Sequence, residues 1–245
     1  MRRLCFVMLS AVLLFGACGE SQAPPPTIEP GGLALVGAQL IDGSGTAPVQ
    51  DAVVVIRDGR IEDAGSRDMT EVPAGAEVID VSGKTIMPGL VNLHVHYRGG
   101  PEDIEQQFRT QLYYGVTTGR SIGSDSADAV PFLLEANAGR LGFPRAYTAG
   151  LGFSHPGGFN AAGRNAPTSE EEARSLVRAQ VDLGVHFIKM WVNDVAEPGL
   201  KITPEMRTVI VDEALRNGAL PVAHIDDEAD GRQLIEAGLR DFLHS

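Results

Sequence analysis

Four of the chain's six histidines fall in one ordered pattern: His94 and His96 in Leu93-His94-Val95-His96, then His224 and His244, with Lys189 between them. Imidazole is a common zinc ligand, and this set, spread over successive strands, is the pattern of a metal centre. Residues two apart on a strand point to one face. The run from Val91 to His96 therefore aims both imidazoles inward, while Leu93 and Val95 pack outward. Two converging neutral imidazoles make half of a zinc-type site. The same pair also suits half-buried strand histidines bonded to backbone carbonyls, and Lys189 alone also suits a lysine that snorkels from a strand end.

The elements that must position these residues are legible around them. From residue 169 onward the chain reads as helix-then-strand units. Thr168 with Glu171 predicts a capping box, and Gly184 sits where a glycine closes a helix. A strand over 185–191 follows. Thr203 caps a second helix with Pro204 in its first turn, Gly218 ends it, and a strand over 220–224 comes next. Asp227 or a neighbouring acid opens a third helix that stops at Gly238, before a strand over 239–244. Such alternation argues a parallel sheet with right-handed crossovers. Lys189, His224 and His244 then lie at or near the C-terminal ends of consecutive strands, where parallel β/α barrels build their active sites. His186 falls on the opposite face from Lys189 and is expected to pack outward. His155, in the glycine-rich run from Gly152 to Phe159, is expected to be a solvated loop histidine. Upstream, apolar runs over 35–43 and 53–61 are closed by Asp42-Gly43 and Asp58-Gly59, which argues hairpins.

The run Pro88-Gly89-Leu90-Val91-Asn92-Leu93-His94-Val95-His96 closely resembles the Pro-Gly-Leu-Ile-Asp-x-His-x-His signature of the amidohydrolase superfamily, in its imidazolonepropionase and Xaa-Pro dipeptidase-like branch. The resemblance extends over about residues 32–245. The runs 35–43 and 53–61 look like the family's small β-domain, and Tyr114-Gly115-Val116-Thr117-Thr118-Gly119-Arg120 resembles its second barrel strand. It implies an α/β fold, a partial TIM (β/α)8-type barrel over 89–245 preceded by part of a small β-sandwich domain over 32–88. By the same resemblance Lys189 matches the fourth-strand lysine, His224 the fifth-strand histidine and His244 the sixth-strand histidine. In the two-metal branch the lysine carries carbon dioxide as a carbamate and bridges two divalent ions, zinc being the expected one. His94, His96 and Lys189 then serve one metal, and Lys189, His224 and His244 the other. Burial favours the neutral amine that carbamate formation needs. Two departures matter: Ser121 stands where many members carry Asp, so the second strand is assigned no ligand, and Gly157-Gly158-Phe159 stands where related enzymes often have Gly-Gly-His.

The implied activity is metal-dependent hydrolysis of a carbon–nitrogen bond in a peptide, aminoacyl or cyclic amide. The alternatives are a mononuclear imidazolonepropionase- or deaminase-like hydrolase using His94, His96 and His224, and a non-catalytic, surface-anchored binding protein. A complete barrel takes roughly 250 residues, and the stretch from Gly89 to Ser245 fits six strands of eight. The strand-eight aspartate that serves the family as metal ligand and proton shuttle therefore lies beyond this sequence, which is expected to behave as an inactive fragment.

At the start, Arg2 and Arg3 precede an apolar stretch from Leu4 to Ala17 that is too short for an ordinary membrane span. Leu14-Phe15-Gly16-Ala17-Cys18 resembles a bacterial lipoprotein cleavage box, so residues 1–17 are expected to be a signal peptide and Cys18 the lipidated first residue. That places the protein in the bacterial cell envelope, anchored to the membrane through its N-terminal lipid. Cys5 and Cys18 are the two cysteines, which leaves neither a disulfide framework nor a thiol nucleophile in the body. Residues 18–31, with Pro24, Pro25, Pro26 and Pro30, make an extended tether. A hydrophobic fraction of 43% supplies a core. A net charge of −12 without a basic patch excludes nucleic acid as a partner.

Overall fold

The computed structural model describes residues 32–159, 161–193 and 198–243. The leader, Cys18, the tether and His244 lie outside the described residues. Two compact units divide at Pro88/Gly89. Among the described residues no helix is long and apolar enough to cross a membrane.

The first unit is a mixed sheet of β1 (Leu33–Leu40), β2 (Val49–Arg57), β3 (Arg60–Ser66), β4 (Glu77–Asp80) and β5 (Thr85–Ile86), ordered β3-β2-β1-β4 with β5 also on β1. This one sheet is the part of the small β-domain that the described residues carry. The β-branched run of β2 is buried on both faces: Val53 and Val55 pack with Ala34 and Val36, whereas Ala52 and Val54 pack with Leu40. Leu40 changes face because Gly37, at φ +88°, sits at a register shift between Val36 and Ala38. A Cβ there would lie 2.3 Å from Ser82 Oγ. Asp58 and Gly59 both take positive φ, 52° and 71°, and form the expected two-residue hairpin turn between β2 and β3. Asp42-Gly43 does not. β1 stops at Leu40 and β2 starts at Val49, and the Asp42 carboxylate instead accepts the Ser44 N–H at 2.8 Å in a local side-chain turn.

The second unit alternates β6 (Leu90–Val95), α1 (Pro101–Tyr113), β7 (Val116–Ser121), α2 (Ala129–Asn137), β8 (Arg145–Thr148), α3 (Glu170–Asp182), β9 (Phe187–Val192), α4 (Pro204–Arg216), β10 (Leu220–Ile225), α5 (Glu228–Ala237) and β11 (Asp241–Leu243). Strands β6-β7-β8 and β9-β10-β11 are parallel within each trio. The trios join where His186 N–H donates to Thr148 O at 2.8 Å and Phe153 bridges Lys189 and Trp191 through its backbone. The result is six parallel strands in chain order with a helix in every crossover, a partial β/α barrel. β9 is buried along its whole length. Ile188, Met190 and Val192 pack outward into the core with α3 and α4, and Phe187 joins Ile122, Ala149, Val222 and Leu243 inside the wall.

Helix ends follow local chemistry. Thr203 accepts the Met206 N–H and Asp227 the Ala229 N–H, as expected. At α3 the cap is one residue later than the sequence spacing suggested and the box is not closed: Ser169 accepts the Glu172 N–H at 3.2 Å, but the Glu172 carboxylate reaches past it to the Thr168 N–H and hydroxyl, each at 2.8 Å. Helices α1 and α2 lie upstream of the region that read as repeating units. α1 buries only Ile104 and Phe108, too sparse a stripe to stand out.

Candidate metal centre and its cavity

A cavity of about 540 Å³ opens among His94, His96, Tyr97, Arg98, Ser124, Phe159, Arg164, Trp191 and His224. Strand alternation brings the first two together as expected, with His94 Nε2 and His96 Nε2 3.1 Å apart. Two imidazoles bound tetrahedrally to one zinc at about 2.0–2.1 Å have nitrogens roughly 3.3 Å apart, so the pair is close to that spacing. Burial, and then the positive groups His94, Lys189, Arg164 and Arg98, push His96 down to about 4. At neutral pH its ring is uncharged, as a ligand must be. His224 lines the same cavity, one strand beyond, with Nε2 3.0 Å from Asp226 Oδ1. Among the described residues no three His, Cys, Asp or Glu side chains gather tightly enough to hold a metal.

Lys189 is not a snorkelling surface lysine. It is fully buried, its Nζ has no hydrogen-bond partner, and it lies 5.1 Å from the centroid of the Trp191 ring. Burial, reinforced by Arg120 and opposed by Asp241, lowers its ammonium to about 7. Two glycines make the channel it occupies. A Cβ on Gly123, which also needs φ +89°, would stand 2.6 Å from Lys189 Cγ, and one on Gly152 would stand 2.4 Å from Trp191 Cζ3. Replacing Gly152 by Ala is therefore expected to cost roughly 1–3 kcal/mol by overpacking and to shift Trp191 emission, as read by urea unfolding followed by fluorescence.

The remaining histidines do other work. His186 faces away from Lys189, as expected: its Nδ1 accepts the Thr148 N–H at 3.3 Å, and its Nε2 lies 3.0 Å from Asn137 Nδ2. His155 is half-buried rather than solvated, with Nδ1 2.6 Å from Pro156 O, and it lines a separate cavity of about 290 Å³ with Ile202 and Met206. Phe159 is the member of its glycine-rich loop that reaches the main cavity.

Several residues at or beside the cavity stand outside the expected set. Ser121 carries no carboxylate, but its hydroxyl donates to Asp125 at 2.5 Å, and Thr148 donates to the other Asp125 oxygen at 2.6 Å. A carboxylate thus arrives at the strand-two position from four residues downstream. Burial outweighs both hydroxyls and raises Asp125 to about 6. A group raised in this way binds more protons folded than unfolded between pH 3.8 and 6, so stability falls as pH rises through that window. The metal-free protein is expected to lose up to about 3 kcal/mol across it relative to Asp125→Asn, as measured by urea unfolding at several pH values. Ser124, next in the loop, stands 3.0 Å from His96 Nδ1 and accepts Arg164 Nη2–H at 3.2 Å. Trp191, two residues beyond Lys189 and so on its face, was the one member of this group that strand alternation could have found.

No family model matches the chain. Over 91 residues it is 35% identical to an enamidase of Eubacterium barkeri, matching 35% of this chain and 24% of the enamidase. Over 99 residues it is 33% identical to a dihydroorotase of Pelotomaculum thermopropionicum, matching 40% of this chain and 21% of that enzyme. A solved structure from Bifidobacterium longum, described as a prolidase, superposes with a TM-score of 0.75 at 30% identity, covering 86% of this chain and 53% of the other. The chain thus spans about half of that structure's length, and the matched segments span a quarter or less of the two enzymes.

Proposed function

Because the chain belongs to the amidohydrolase superfamily, we propose that the whole protein is a metal-dependent hydrolase of carbon–nitrogen bonds acting on a small peptide, aminoacyl or cyclic amide. The observation that carries this reading is the buried Lys189 amine, without a hydrogen-bond partner and beside the cavity into which His94 and His96 converge. An uncompensated buried amine is costly, and two glycines shape the channel that contains it.

His94, His96, Lys189, His224 and His244 would hold two divalent ions, with Lys189 carrying carbon dioxide as a carbamate. Such ions make a water acidic enough to attack at neutral pH and polarise an amide carbonyl. The protein's own residues prepare the site. When His96 Nδ1–H donates to Ser124 Oγ, the Nε2 lone pair is left toward the cavity, and the hydroxyl oxygen can still accept Arg164. Trp191 closes one wall and limits water around Lys189. An amine lowered to about 7 supplies the neutral form for carbamate formation at physiological pH.

Metal content after zinc loading tests the assignment. Zinc is expected to bind the full chain, and His94→Ala with His96→Ala is expected to weaken it at least about 100-fold. Zinc binding indifferent to both changes would overturn it. We further propose that the protein is lipid-anchored in the cell envelope through Cys18. Fatty-acid labelling is expected to disappear in Cys18→Ala, and labelling that persists would refute this.

A further inference from the structure

Arg164 belongs to no part of the expected metal set, yet it is built into the same cavity. It comes from the loop between β8 and α3, and that loop is pinned at the next residue. Asn165 is buried, donates its Nδ2–H to Leu151 O at 2.8 Å and its backbone N–H to Gly152 O at 3.0 Å, and accepts Ser154 N–H at 2.9 Å. The guanidinium lies 4.8 Å from the Trp191 ring centroid and touches Ser124. Its position is therefore fixed from three sides before any ligand arrives.

No carboxylate hydrogen-bonds to it among the described residues. Among the described residues its hydrogen bonds go to the Ser124 hydroxyl and, at 3.4 Å, to the Gly163 carbonyl, both neutral, and its buried Nε has no partner. Asp125, the carboxylate whose field it feels, is bonded to Ser121 and Thr148 instead. Arginine does not deprotonate in proteins, so a half-buried guanidinium that feels Asp125 only at a distance and bonds no carboxylate keeps donors for an anion from outside. Arg98 lines the same cavity and adds to its positive potential.

We propose that Arg164 is a specificity-determining residue that receives a carboxylate of the substrate. The protein thereby selects amides that also carry a carboxylate, as N-acyl amino acids and dipeptides do, over neutral amides. A fixed guanidinium is suited to this because its planar donors match a carboxylate and little side-chain freedom is lost on binding. The inference rests on the hydrolase reading for the meaning of "substrate", but the anion site itself does not require a metal.

Trp191 is the chain's one tryptophan, so its emission reports on ligands that reach Arg164. The full chain, as purified and again with added zinc, is titrated with N-acetylglycine and with its neutral isostere N-acetylglycinamide. The acid is expected to change Trp191 emission with at least about tenfold higher affinity than the amide. Arg164→Met is expected to abolish that preference, and Arg164→Lys to retain part of it. Arg98→Met is expected to leave most of it, and circular dichroism of each variant checks the fold. If Arg164→Met unfolds, the comparison of acid with amide on Arg164→Lys and on the unaltered chain decides. Equal affinity for acid and amide, or a preference undiminished in Arg164→Met, overturns the proposal. Loss of zinc binding with the acid preference intact would instead contradict the metal assignment and leave the anion site standing.

Discussion

Substituting Lys189 by Met is expected to lower zinc from two ions per chain to one or none and to weaken the remaining ion at least about 100-fold, since even supporting residues around a metal are worth 10–100-fold. The substitution roughly conserves volume and leaves an apolar side chain where a buried amine stood, so the fold is expected to survive and even to gain stability below about pH 7, where the ammonium is otherwise buried and charged. The sign follows from the lowered value: folded Lys189 holds its proton less tightly than unfolded, so stability of the unaltered, metal-free protein rises with pH above about 7. In Lys189→Ala, whose short side chain leaves the channel open, added propionate places a carboxylate where the carbamate would be and is expected to restore part of the zinc binding. Metal titration by plasma spectrometry reads the first effect and urea unfolding the second.

Arg120 is expected to give the second large effect, on stability. A single guanidinium reaches from β7 to three other strands: Nε donates to Leu93 O on β6 at 2.8 Å, the two terminal nitrogens donate to Asp241 on β11, and the group lies 5.2 Å from the Phe187 ring centroid on β9. Removing one partner of a buried pair costs about 3–5 kcal/mol, largely by stranding the other charge. The Asp241 side chain is 36% exposed, so solvent screening lowers the expected cost of Arg120→Met to roughly 2–3 kcal/mol. Asp241→Asn is expected to cost less, and the double variant to show coupling of about 1 kcal/mol or more. Additive losses in a urea unfolding cycle would mean that the two side chains do not brace the wall together.

The sequence was most informative where one local period dominated. Strand alternation placed His94 beside His96 and turned His186 away from Lys189, because side-chain direction on a strand depends on parity alone. Helix ends beyond residue 169 were legible from their capping residues, although at α3 the cap moved by one residue because Thr168 and Ser169 offer equivalent hydroxyls and the neighbouring glutamates offer similar carboxylates. Asp42-Gly43 misled because a turn dipeptide makes a hairpin only when the next strand follows at once. Asp125 and Arg164 could not be read in advance. Each is placed by tertiary contacts: Asp125 by hydroxyls on β7 and β8, Arg164 by a loop folded back on Asn165.

Zinc-edge anomalous diffraction from crystals of the zinc-loaded chain, grown with bicarbonate, tests the metal assignment most directly. The expected result is two anomalous peaks in the cavity lined by His94, His96 and His224, with density at Lys189 Nζ extended by a carboxyl group. A bare amine at Lys189, or zinc bound only away from His94 and His96, would contradict it.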